Sequence, residues 1–214
     1  KNTFFLILFY LIAVVIALIN LQDFGIHIEE RFHRLNGHFW LNYIAKVFNF
    51  SDIQEITKIK INEISDYTLS PVSKYNKYGI LLDLPVAALE ILFKIEDVRD
   101  VYYLKHFLGF SIFLVSSLFF FKILQGRFDK FYLSFFGLIL YMTTPRILGD
   151  SFLYKDVLFL SFLTITLHFF IKSINELSFR NLIFFSLFTA LSFNLRIFSI
   201  IIPLLFIFII TIKN

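Results

Sequence analysis

"YGILLDLPVAALEILFK", residues 78–94, decides how this chain is folded. The run is apolar and almost long enough to cross a bilayer, yet it holds Asp83, Pro85 and Glu90. A carboxylate at mid-bilayer costs on the order of 3 kcal/mol on insertion scales. Leu82, Val86, Leu89 and Phe93 recur at helical spacing, as in an amphipathic helix lying along a membrane surface. The run is therefore read as interfacial, not spanning.

Composition sets the class around it. The chain has 214 residues, is 58% hydrophobic and has a mean hydropathy of +0.77. Soluble domains are about 45–50% apolar, so this is a membrane protein. Absence of cysteine excludes disulfides, Cys-ligated zinc and thiol catalysis. The net charge of +4 lies in short loops with no basic stripe, which argues against a nucleic-acid partner. The chain begins with Lys rather than Met and ends just after a hydrophobic run. It reads as the N-terminal part of a longer protein, with a C-terminal part missing.

With 78–94 on the surface, the predicted spans are about 3–20, 101–124, 131–144, 157–172, 181–194 and 197–212. Residues 21–100 become one extracytoplasmic loop. The loops then placed inside, "FKILQGRFDK" and "IKSINELSFR", carry Lys122, Arg127, Lys130, Lys172 and Arg180, as the positive-inside rule expects. The expected fold is all-α: a polytopic membrane helical bundle whose large extracytoplasmic first loop contains interfacial helices. Within that loop, residues 28–48 show helical spacing, with Trp40 and Tyr43 suited to headgroup depth. Residues 51–77 read as a surface excursion, and His27, His33 and His38 as interfacial side chains. A hairpin is expected at 194–196, because one helix through both final runs would far exceed a bilayer core.

This topology gathers the unusual charges on one face. They lie in "DFGIHIEE" (23–30), in "TTPRILGDSFLYKD" (143–156) and at Arg196.

Several stretches resemble the GT-C membrane glycosyltransferases, relatives of the protein O-mannosyltransferases and the lipid A aminoarabinose transferases. The resemblance lies in "DFGIHIEERFHRLNG" (23–37), "KYGILLDLPVAALEILF" (77–93), "RDVYYLKHFLGF" (99–110) and "TPRILGDSFLYKD" (144–156), and more weakly in "FNLRIFSIIIP" (193–203). The segments occur in the family's order over nearly the whole chain. Glu29 stands where the family has Asp, Arg31 where it has Pro, and Asp150 where it has His. Tyr154 replaces a Pro in a loop one residue shorter.

The resemblance implies transfer of a sugar from a polyprenyl-phosphate donor to a hydroxyl of a glycan, lipid or protein acceptor. The site would face the extracytoplasmic side of a bacterial inner membrane, and the lipid bilayer itself is a partner. Glu29 is the expected base, with Asp23 and Glu30 as further candidates, since an acceptor hydroxyl needs a carboxylate within hydrogen-bond reach. Arg146, Lys155 and Arg196 are the expected donor-phosphate contacts, placing positive charge where negative charge develops. Asp150 and Asp156 form a second acidic site that either holds a divalent cation with Glu29 or pairs with Arg146 and Lys155. No other cofactor is expected, and the identity of any metal is left open. The alternative is a transporter or flippase of lipid-linked glycans. Such proteins keep ionisable groups near mid-depth and often show repeated broken helices, and this sequence shows neither.

Overall fold

The computed structural model describes residues 2–64, 79–153 and 156–213. Among these, all regular structure is helical: α1 (Asn2–Asn20), α2 (Ile28–Val47), α3 (Ser51–Ile64), α4 (Asp83–Leu92), α5 (Val98–Arg127), α6 (Phe131–Thr143), α7 (Pro145–Asp150), α8 (Asp156–Asn175), α9 (Phe179–Leu195), a 3-10 turn (Ile197–Ile200) and α10 (Ile201–Lys213). The chain divides into two compact units. A helix unit comprises Lys1–Phe24 and His106–Asn214, and a loop unit comprises Gly25–Lys105.

In the helix unit the apolar runs become helices that alternate in direction. Tyr10 of α1 hydrogen-bonds Ser117 of α5 at 2.8 Å, and Phe9 meets Phe135 of α6 with ring centroids 5.6 Å apart. The start of α1 lies beside Phe121 and Gln125, near the end of α5, while its end lies beside Phe110 and Met142. Hence α1 runs antiparallel to α5 and parallel to α6. Helices α8 and α9 pair antiparallel through Thr166–Ser192 and the stacked rings of Phe169 and Phe184. The chain reverses again at Arg196, whose backbone is extended, so α10 runs beside α8 and Lys213 donates to the Ile174 carbonyl at 2.8 Å. The hairpin expected at 194–196 is therefore present. The core of this unit is aromatic and aliphatic, with Phe113 and Leu138 fully buried. Helices α1, α5 and α8 are long and apolar enough to cross a membrane, and α6, α9 and the 197–213 segment are shorter apolar helices.

The loop unit is built differently. The His27 side chain caps α2, and Glu30 reaches back to the His27 N–H at 3.0 Å, a reciprocal capping box. Helix α2 stops in a Schellman cap, with Asn49 in the left-handed region (φ 59°) and the Phe50 N–H on the Ala45 carbonyl. Residues 51–64, expected to be part of a surface excursion, instead form α3. Ile61 and Ile64 pack against Phe32, Leu35 and Phe39 of α2. Asn42 donates to the Thr57 hydroxyl, and Arg31 donates to the Ile64 carbonyl at the C-terminus of α3. The rest of the expected excursion, residues 65–77, lies outside the described residues.

Helix α4 has 10 residues, a rise of about 15 Å and half of a bilayer core of about 30 Å. An amphipathic surface helix turns its carboxylates to water, but here Asp83 and Glu90 are both buried. They face α2, not solvent. The helices approach closely at Gly37, where an added Cβ would sit 2.3 Å from the Asp83 carbonyl oxygen.

Candidate functional site

Two polar clusters stand out, one in each unit. In the helix unit the ends of α1 and α6, the starts of α5 and α8, and Arg196 share one end of the array. There Phe24 stacks on Phe152 with centroids 4.0 Å apart, and Phe152 stacks on Phe110 at 4.6 Å. Asp23 adjoins Phe24, and Asp150 lies two residues before Phe152. The ring stack thus holds the stretch after α1 against the 143–156 break. Pro145 starts α7 at a position where its missing N–H has no helical partner to lose. One turn of α7 then aligns Arg146 with Asp150 at 3.4 Å, leaving the Arg146 side chain 84% exposed. Asp156, at the start of α8, pairs with Arg196 from the α9–α10 bend. The sequence reading had offered Arg146 and Lys155 as partners for the two aspartates; the structure pairs Asp150 with Arg146 and Asp156 with Arg196. Lys155 lies outside the described residues.

Beside this charged end, a cavity of about 330 Å³ opens between α1, α5 and the break. Its walls include Phe9, Ile16, Phe110 and Leu148, with Asn20 and Thr143 as its polar groups. The opposite end of the array carries Lys122, Arg127, Lys130, Lys172, Arg180 and Lys213 against Asp129 and Glu176.

The second cluster is the interior of the loop unit. Arg34 Nη2 and Nε donate to Glu90 at 2.6 and 3.1 Å, and His38 Nε2 lies 3.0 Å from the same carboxylate. His33 Nδ1 and Asn36 Nδ2 each lie 2.9 Å from Asp83 Oδ2. Lys60 of α3 lies 3.5 Å from Glu90, and Lys105 of α5 is buried with its ammonium 3.4 Å from the Glu30 carbonyl. Burial by itself raises the Glu90 pKa, but hydrogen bonds from His38 and Arg34 outweigh it and hold the carboxyl at about 2. Burial opposes the Arg34 charge, and Glu90 offsets this and raises the guanidinium above its ordinary value.

These contacts bear on one reading. His33 and His38, expected as interfacial side chains, are buried against α4 carboxylates. Arg34 pairs with Glu90. Of the two candidate carboxylates of α2, Glu30 is buried in the capping box and Glu29 is exposed. Asp23 is exposed as well. Sequence reasoning missed this network, although the spacing carried a signal: Asp83 and Glu90 lie seven residues apart, and Arg34 and His38 four apart, so each pair shares a helix face. Among the described residues, no group of three or more His, Asp or Glu is placed to hold a metal ion.

Compared with family models, with curated proteins and with solved structures, the chain matches none.

Proposed function

We propose that the chain is a multi-pass membrane glycosyltransferase of the GT-C type, acting on the extracytoplasmic side of a bacterial inner membrane. It moves a sugar from a polyprenyl-phosphate donor to an acceptor hydroxyl of a glycan, lipid or protein. The observation that carries this reading is the charged end of the helix unit with its neighbouring cavity. An apolar cavity of about 330 Å³ suits a prenyl chain, and Arg146, two residues before Leu148 of its wall, and Arg196, at the same end of the array, suit the phosphate. The opposite end of the array is basic, which agrees with the positive-inside rule and supports placing the acidic end outside. The motif resemblance gives the reaction and the base.

In the step that the motif resemblance implies, Glu29 takes the proton of the acceptor hydroxyl while the hydroxyl oxygen attacks the anomeric carbon. The bond from that carbon to the phosphate oxygen breaks, and the lipid phosphate leaves with the bonding pair. Arg146, Arg196 and Lys155 take up the charge that develops on the phosphate. Asp150 and Asp156 hold the two arginines in place and keep the site from being a bare cation trap. Asp23 and Glu30 are the further carboxylates of this reading.

Arg146 is the residue to test. Arg146→Ala should weaken donor use at least tenfold and leave the acceptor dependence unchanged. Arg146→Lys should rescue only partly, because a single ammonium lacks the two-pronged fit to phosphate. The readout is the cellular pool of polyprenyl-phosphate sugar by lipid mass spectrometry, which should rise in the Ala variant. An unchanged pool and an unchanged envelope glycan would remove Arg146 from the donor site.

A further inference from the structure

At the basic end of the helix unit a second cavity, of about 550 Å³, opens between α5, α8 and α9. One wall is aromatic, where Phe169 stacks on Phe184 and Phe188 at 5.0 and 5.7 Å. The other wall is net cationic: Lys122, Lys172 and Arg180 line it with one carboxylate, Glu176. Among the described residues none of these three has a carboxylate within ion-pair distance; Lys122 lies over the Phe119 ring at 5.1 Å.

Two features point to an anion as the ligand. Ser178 caps α9, a helix of 17 residues, and the first turn of that helix lines the cavity through Arg180 and Asn181. Helix N-termini favour negative charge. His168 also borders the cavity and is only 7% exposed. Among the described residues it makes ring contacts with Phe119 and Phe169 but no hydrogen bond. A buried imidazole normally has a polar partner, and here the open direction is the cavity.

We propose that this cavity binds an anionic phospholipid of the cytoplasmic leaflet. Its phosphate would be held by Lys122, Lys172 and Arg180, and its acyl chain would lie on the phenylalanine wall. Basic pockets between membrane helices on the cytoplasmic side suit such headgroups. A free phosphate would use the cations but not the aromatic wall. The simpler account is that the three cations only orient the helices and contact headgroups without selecting them.

The full chain in neutral detergent, titrated with phosphatidylglycerol, phosphatidylcholine or inorganic phosphate and read by native mass spectrometry, separates these accounts. One phosphatidylglycerol should bind at least tenfold more tightly than phosphatidylcholine, and millimolar inorganic phosphate should not displace it. The triple variant Lys122→Gln, Lys172→Gln, Arg180→Gln should lose roughly 100-fold in affinity, at roughly fivefold per cation. Lys130→Gln, outside the cavity, should bind like the parent. His168→Phe, which keeps the ring packing, should weaken phosphatidylglycerol several-fold if the triple variant proves unstable. Equal binding of the two lipids, retention of affinity by the triple variant within about threefold, or displacement by inorganic phosphate would each overturn the proposal.

Discussion

The two units solve the same problem with opposite chemistry. The helix unit closes its interior with rings, Phe110 on Phe152 and Phe120 on Tyr141, and keeps its charges at its ends. The loop unit closes part of its interior with charges, burying Arg34, His38 and Glu90 in one set of contacts and His33, Asn36 and Asp83 in another. A ring packed out of place loses contacts it can partly recover by shifting. A buried carboxylate without its partner keeps a desolvation penalty of several kcal/mol. The loop unit should therefore tolerate change at its interior far less well than the helix unit. Equally, the charges that face solvent should be those outside that interior.

The strongest way to break this contrast is to strand Glu90. Arg34→Met should destabilise the loop unit by about 3–5 kcal/mol, the usual cost of removing one partner from a buried ion pair. Limited proteolysis of the full chain in detergent should then cut within 25–105 while the helix unit stays protected.

Acid should do reversibly what that variant does permanently. Its contacts hold the folded Glu90 carboxyl at about 2, below its ordinary value of 4.5. The stability it contributes is therefore fully present above that value and is lost as pH falls toward 2. Protection of the loop unit should decline across that window, with helix-unit protection unchanged.

A smaller effect sharpens the comparison by placing one substitution in both units. Gly37→Ala drives a Cβ to 2.3 Å from backbone oxygen and 3.1 Å from Ala87 Cβ, neither of which can swing away. It should cost about 1–3 kcal/mol, as overpacking does. Gly137→Ala meets only the Leu124 side chain, closest at Cδ1, 2.7 Å away, the end of a flexible side chain. It should cost less than about 1 kcal/mol, and a melting series of the two variants checks the ordering.

Much of the helix unit was legible beforehand, because its apolar runs report burial or lipid directly and its turns fall at Arg127–Lys130, Thr144–Pro145 and Arg196. The loop unit was legible only as helices, and α3 not even as that. Its interior depends on pairs 47 to 56 residues apart in sequence, such as Asn36 with Asp83 and Arg34 with Glu90. A charge in a sequence reads as solvated until its partner is located. Helix α3 is polar over most of its length, and it is fixed by Ile61 and Ile64 against α2. The candidate site was legible as composition, two charged stretches and Arg196 on a greasy chain. The pairing of Asp156 with Arg196 across 40 residues was not.

Both classes of charge sit on α2, with Glu29 exposed at its first turn and Arg34 buried one turn further on. Glu29→Gln is thus the most direct measurement, with envelope glycan analysis and thermal unfolding performed on the same variant. Unfolding should stay within about 0.5 kcal/mol of the parent, as for most surface changes, and transfer should fall by about 10²–10⁴, the usual worth of a general base. Transfer within about threefold of the parent would contradict this expectation and remove Glu29 as the base.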